Sequence, residues 1–310
     1  MNITEYLDSI ENKTSIKISL DLYNMLKINK PITSFDGIEN YPNILSISIE
    51  VRLELSEKEY EKLNILKELT HYTSYGNDAY LKHLSNNLIF LKLESCNIKD
   101  KDNLILFKKL INLSLLFCSI KNDELYFIKD LININVLKIV NFDDLYYSTK
   151  FEKFITDKSS FITDISCLKN LNNIRDLDVS HNKIEDISVL EYLTNIERMD
   201  ISYNEIINIE VFKHLKKIYC IDISNNIIED ISPLMYFERM YEFDINLKSD
   251  YKLNIYGGNS IGTFYSSYSS FNFHNNPNLD DCRYVNFVDF PIFLKNKRRK
   301  NLISKLLDNK

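Results

Sequence analysis

Between residues 168 and 231 the chain repeats itself every 22 residues, and that period constrains its fold more than any other feature. One copy runs Leu168, Leu171, Ile174, Leu177, Val179, Asn182, Ile184, Ile187. The next runs Leu190, Leu193, Ile196, Met199, Ile201, Asn204, Ile206, Ile209, and a third starts at Phe212 and carries Ile221, Ile223, Asn226 and Ile228. A unit this short cannot bury its apolar side alone, so neighbouring units must stack and share one continuous core. Within each copy the two-residue alternation, as in Leu177-x-Val179, predicts a short strand with those side chains turned inward. The Asn three residues further on offers an amide that can tie the following turn to the backbone. The expected class is α/β: a solenoid with parallel strands on a concave face and short helical or irregular segments on the convex face.

The same register extends outward in weaker form. Leu91, Leu93, Cys96 and Ile98 make one copy, and Leu113, Leu115, Cys118 and Ile120 make the next, with cysteine in the asparagine position. Leu131, Ile134, Leu137 and Ile139 form a copy two residues longer, with Phe142 where Asn is expected. Upstream, Phe35 to Ile49 keep the apolar beat with Arg52 in the Asn position. Tyr60, Leu63, Leu66 and Leu69 fit either the repeat or a plain amphipathic helix. A last copy is expected at Phe271, Phe273 and Asn276. The structural ladder is therefore Cys96, Cys118, Asn182, Asn204, Asn226 and Asn276.

The wording I-D-I-S-N-N-I-I-E-D-I-S-P-L from Ile221 to Leu234 resembles the leucine-rich repeat family in its short 22-residue class, that of phosphatase-1 regulatory subunits and bacterial internalins. The resemblance implies a leucine-rich repeat solenoid, a curved horseshoe that binds a protein partner on its concave face. A similar Ile-, Asn- and Lys-rich flavour occurs in leucine-rich repeat proteins of entomopoxviruses, which would imply action in a host cytoplasm. Residues 1–310 are read as a single domain: a cap over 1–31, repeats over 32–280 with an insertion near 143–160, and a second cap over 281–310.

Composition narrows function by exclusion. Five Gly leave no glycine-rich phosphate loop, and no cofactor is expected. A net charge of −6 opposes nucleic acid and anionic membranes as general partners. No apolar run approaches the roughly 18 residues of a membrane span. Five cysteines without a C-x-x-C fit a reducing compartment, so the expected location is a cytoplasm. The histidines show no metal-ligand spacing, and no catalytic or metal site is expected.

Strand alternation identifies the outward positions. In the C-terminal half they are Asp176, Asp178 and Ser180, then Arg198, Asp200 and Ser202, then Cys220, Asp222 and Ser224, then Glu242, Asp244 and Asn246. Asp178, Asp200, Asp222 and Asp244 should form one column, with in-register neighbours repelling by about 0.8 kcal/mol per pair in water. The column is either a site for a basic partner segment or the family's repeat wording. In the N-terminal half the outward positions are Phe90, Lys92 and Glu94, then Asn112, Ser114 and Leu116, then Val136, Lys138 and Val140, with Phe117 and Ile111 alongside. So many apolar groups together either bind a partner or are covered by the cap or the insertion. The expected function is a non-enzymatic protein-protein interaction module. Alternatives are a self-assembling structural solenoid and a substrate-recruiting adaptor of a ubiquitin ligase or phosphatase complex.

Overall fold

The computed structural model describes residues 14–18, 34–51, 53, 55–141, 161–218, 220–223, 225–228, 233, 242–244 and 254–256. The insertion near 143–160, the copy at Phe271, Phe273 and Asn276, and residues 281–310 lie outside them. The chain divides into two compact units, Met1–Phe161 and Ile162–Lys310.

In the first unit six parallel strands lie side by side: β1 (Ser15–Ile18), β2 (Ser46–Ile49), β3 (His71–Tyr75), β5 (Phe90–Glu94), β7 (Asn112–Leu116) and β8 (Val136–Val140). A second, two-stranded ladder pairs β4 (Asp78–Ala79) with β6 (Asn97–Ile98) in the turns that follow β3 and β5. Residues expected as a cap thus supply a strand, with Ile16 buried in register with Ile47. Tyr60, Leu63, Leu66 and Leu69 are all buried. Tyr60 and Leu63 lie in a return segment made of helix α1 (Glu57–Glu61) and a 3-10 turn (Lys62–Ile65). Leu66 and Leu69 follow it, their amides donating to Leu63 O at 2.9 Å and Leu66 O at 3.1 Å, so the repeat accounts for them. One further helical turn, α2 (Asn122–Leu125), returns the chain from β7 towards β8.

The second unit carries β9 (Asp176–Asp178), β10 (Arg198–Asp200), β11 (Cys220–Asp222) and β12 (Glu242–Asp244) in parallel register. Its return segments explain the three-residue apolar beat. Leu168 N–H donates to Ile165 O at 3.0 Å, Leu171 to Leu168 at 2.8 Å and Ile174 to Leu171 at 3.1 Å. The next copy repeats this at Ile187, Leu190, Leu193 and Ile196, with distances of 3.0, 3.0 and 3.1 Å. Bonds from residue i+3 to residue i are the 3-10 pattern, whose three residues per turn bring every third side chain to the same face. All eight of these side chains are buried. The D-I-S wording caps these turns: Ser166 and Ser188 amides donate to the Asp164 and Asp186 carboxylates, each at 2.7 Å.

Among the described residues β12 is the last strand of the parallel array. β13 (Asn254–Tyr256) pairs with β12 antiparallel, with Phe243 opposite Ile255. This strand lies within the Phe243-to-Phe271 segment, which is six residues longer than one repeat. No helix of the described residues is long and apolar enough to cross a membrane.

Candidate outward face and its supporting ladder

The asparagine ladder holds the turns that end each strand. Asn204 Oδ1 accepts from Ile184 N–H at 3.0 Å, while Nδ2 donates to Val179 O, Ile201 O and Ser202 O at 3.0, 3.1 and 3.1 Å. Asn182 accepts from Ile162 N–H at 3.1 Å, and Asn226 accepts from Ile206 N–H at 3.0 Å and donates to Ile201 O and Ile223 O. All three side chains are buried. Cys96 and Cys118 occupy the equivalent places, their thiols donating to Ser74 O at 3.3 Å and Leu93 O at 3.4 Å. Both are free thiols, and burial pushes both well above the ordinary cysteine range.

The ladder contains two members that spacing alone hides. Asn141, and not Phe142, serves the longer copy: its Oδ1 accepts from Ile120 N–H at 3.2 Å and its Nδ2 returns to Ile120 O at 3.1 Å. Val140 is buried beside it, so the chain turns inward one residue early. Asn77 serves the copy before Cys96, accepting from Leu53 N–H and donating to Ser74 Oγ at 3.0 Å and Tyr75 O at 2.7 Å. The Gly76-Asn77 pair, three residues past Tyr72-x-Ser74, was the readable signal.

Immediately before six of the described ladder residues, all but Asn141, the backbone takes a left-handed turn: Gly76 (φ 67°), Ser95 (54°), Phe117 (57°), His181 (55°), Tyr203 (53°) and Asn225 (53°). A chain with five glycines meets this demand mostly with residues that pay a steric penalty. At two of these positions the side chains stack, with His181 and Tyr203 rings 4.2 Å apart and 10° from parallel. Burial lowers the His181 pKa, and the Asp178 charge partly restores it.

On the outward side of the second unit, Asp178, Asp200 and Asp222 lie in register on successive strands, as expected. Asp176, Arg198 and Cys220 form the row beside them, Arg198 lying 3.9 Å from Asp176. Glu242 and Asp244 stand on β12, and their side chains are outside the described set. Ser180 and Ser202 are buried, against the expectation of exposure. Each hydroxyl donates to the aspartate two residues before it, Ser180 to Asp178 at 2.8 Å and Ser202 to Asp200 at 2.7 Å. The amides of both serines donate to the same carboxylate oxygens, at 3.2 and 3.0 Å. Part of the aspartates' chemistry is therefore local, holding the strand end as an Asx turn does, which offsets the repulsion along the column.

The first unit's outward face is mixed. Its register places His71, Phe90, Asn112 and Val136 in one row, Thr73, Lys92, Ser114 and Lys138 in the next, and Tyr75, Glu94, Leu116 and Val140 in a third. Phe90, Leu116 and Phe117 are half-buried; Phe90 stacks on His71 with centroids 5.8 Å apart. Ser114 and Val140, expected outside, are buried. The most open apolar group of this region is Ile111, 47% exposed, at the entry to β7. On the second unit's return side, Glu185, Asp186, Glu191 and Glu210 line an open cleft of 440 Å³. Among the described residues no three His, Cys, Asp or Glu side chains gather as metal ligands would.

No family model matches the chain, and no curated protein is a significant match. Solved structures are similar in fold. An internalin (inlF) of Listeria monocytogenes superposes with a TM-score of 0.55 at 20% identity, over 71% of this chain and 59% of that one. The leucine-rich repeat ectodomain of the Arabidopsis receptor kinase HAESA superposes with a TM-score of 0.51 at 17% identity, over 67% of this chain and 35% of that one. The chain thus spans about three fifths of the internalin and a third of the ectodomain. The repeat register, the parallel strand ladders and these two likenesses agree on one architecture: the chain folds as a leucine-rich repeat solenoid.

Proposed function

We propose that this chain is a non-enzymatic interaction module that binds a protein partner on the outward face of its strand ladders. The observation that carries the reading is the division of labour within each strand. Inward side chains such as Leu91, Leu93, Leu177 and Met199 are spent on the core, whereas most outward positions, such as Phe90, Lys92, Asp178 and Asp200, hold side chains in fixed register that are not fully buried. A broad, preorganised surface of this kind loses little side-chain and backbone entropy on binding and suits macromolecules better than small substrates. The HAESA ectodomain, of the same fold, was solved in complex with a peptide hormone ligand, which supports this use of such a scaffold. The proposal places the module in a cytoplasm, on the strength of five cysteines without a C-x-x-C.

The test is affinity capture from candidate host cytosol with three forms of the full chain. These are the wild type, an Asp178→Lys/Asp200→Lys/Asp222→Lys variant and a Phe90→Ser/Phe117→Ser variant, each checked for folding by circular dichroism. Loss of one specific protein from one variant supports the reading and locates the face. A wild-type chain that retains only further copies of itself refutes it in favour of a self-assembling solenoid.

A further inference from the structure

One edge of the first unit's ladder carries a largely apolar stripe with lysines on both flanks. The residues that precede the strands, Leu45, Thr70, Ile89, Ile111 and Asn135, are linked in a backbone relay. Thr70 N–H donates to Leu45 O at 2.9 Å, Ile89 to Thr70 at 2.8 Å, Ile111 to Ile89 at 2.9 Å and Asn135 to Ile111 at 2.8 Å. Leu45 and Ile111 are 44% and 47% exposed. Ile89, Phe90 and Val136 are half-buried alongside them. Two of the matching positions of the second unit, those before β9 and β10, are charged: Arg175 and Glu197, ion-paired at 3.1 Å, next to Asp176 and Arg198. Leu45 and Ile111 stand three strands apart along this edge, with Thr70 and the half-buried Ile89 between them, and apolar exposure gathered along one edge marks contact sites.

Lysines border the stripe on both sides. In the turns before it stand exposed Lys67, Lys108 and Lys109, the last donating to Asn87 Oδ1 at 2.6 Å, with Glu68 the one acidic residue of those turns. Beyond it, the central row reads Ser48, Thr73, Lys92, Ser114, Lys138, with no acid, whereas the same row of the second unit reads Asp178, Asp200, Asp222. Lys92 pairs with Glu94 of the third row at 2.9 Å. Lysine stems extend the apolar surface while their ammonium groups rim it.

We infer that this stripe docks an acidic amphipathic helix of the partner protein, an assignment that rests on the interaction-module reading and names its partner chemistry. From Leu45 to Val136 the stripe crosses four strand spacings, about 19 Å. That is the length of about 13 helical residues. A helix lying along it repeats every 5.4 Å, close to the 4.8 Å between strands, so apolar side chains one turn apart meet successive repeats. Carboxylates on the two flanks of such a helix reach Lys108 and Lys109 on one side and Lys92 and Lys138 on the other. The aspartate row of the second unit repels the same helix, which confines it to the first unit.

The probe is a fluorescein-labelled synthetic helix of about 14 residues with leucine along one face and glutamate on both flanks. Two controls carry lysine for each glutamate or serine for each leucine. Anisotropy with the full chain is expected to show binding of the first peptide alone, weakening as salt rises from about 0.05 to about 0.5 M. Ile111→Ser and a Lys109→Glu/Lys138→Glu pair should each raise Kd by about tenfold or more, with Lys213→Glu on a return segment of the second unit leaving it unchanged. Equal binding of the lysine peptide, or no response to the Ile111 and lysine substitutions, overturns the assignment. So does flotation with phosphatidylserine vesicles, or self-association in sedimentation, that these same substitutions abolish, since a membrane or a second copy is then the occupant. If the glutamate peptide fails while the chain still captures a protein that the Asp178→Lys/Asp200→Lys/Asp222→Lys variant loses, the interaction-module reading survives and this assignment falls.

Discussion

Replacing Asn204 by alanine measures what one rung of the ladder contributes, and its hydrogen bonds set the size of the effect. The substitution removes four contacts, but three of the carbonyls keep another donor. Val179 O retains Asn182 Nδ2 at 3.1 Å, Ile201 O retains Asn226 Nδ2 at 3.0 Å, and Ser202 O retains the His181 amide at 3.0 Å. The group that loses its asparagine acceptor is the Ile184 amide, in a fully buried residue. An orphaned buried donor costs about 1–3 kcal/mol, and the cavity left by the amide adds about 1 kcal/mol. The expected loss is therefore about 2–4 kcal/mol, well below four full hydrogen bonds. Asn195→Ala is the control: it removes an exposed amide that donates to Asn172 O at 2.7 Å, and it should cost less than about 1 kcal/mol. Urea unfolding followed by circular dichroism and by hydrogen exchange of the Ile184 amide reads both. Equal destabilisation by the two substitutions refutes the accounting, as does an unaltered exchange rate at Ile184.

Three further outcomes follow from the same geometry. His181 has a folded pKa below its ordinary value, so its neutral form is favoured in the fold. The associated stability is present above about pH 6.5 and is lost as pH falls through the lower folded value, and His181→Phe removes that component from a stability-versus-pH profile. Ser95→Gly should stabilise by about 0.5–1 kcal/mol and Gly76→Ala should destabilise by about 1 kcal/mol, because both positions hold a left-handed turn; calorimetric midpoints moving in the same direction contradict this. Cys96 and Cys118 should resist iodoacetamide until the chain unfolds, and Cys167, pushed up to about 11 by burial, should react slowly at pH 8; mass spectrometry of native protein with both ladder thiols alkylated contradicts the burial argument.

The 22-residue comb was legible because each inward position repeats a chemical demand, and in the regular copies Leu168 to Ile228 met it without exception. Misplacements arose where backbone geometry departs from the count. A strand that turns inward early moved the rung from Phe142 to Asn141, and buried hydroxyls bound to their own aspartates took Ser180 and Ser202 off the exposed face. Alternation gives the direction of a Cα–Cβ bond and says nothing of a side chain folding back on a neighbour. The left-handed column was hidden for a related reason: Ser95, Phe117, His181 and Tyr203 share a backbone conformation and no side-chain chemistry. The antiparallel β13 was invisible because its pairing with β12 does not follow the parallel register of the repeat. On the outward face the acidic column was readable residue by residue, whereas the apolar stripe needed the register between strands and the turns that enter them.

The central claim, that a protein partner is held by the outward rows, is tested most directly by site-specific photocrosslinking in the cytosol where capture succeeds. A photoreactive residue is placed in turn at Lys92 and Asp200 on the outward rows and at Lys169 and Lys213 on the return segments. The account predicts that one partner protein is crosslinked from an outward position and from neither return-side position. Crosslinking from Lys169 or Lys213 with none from Lys92 or Asp200 contradicts it.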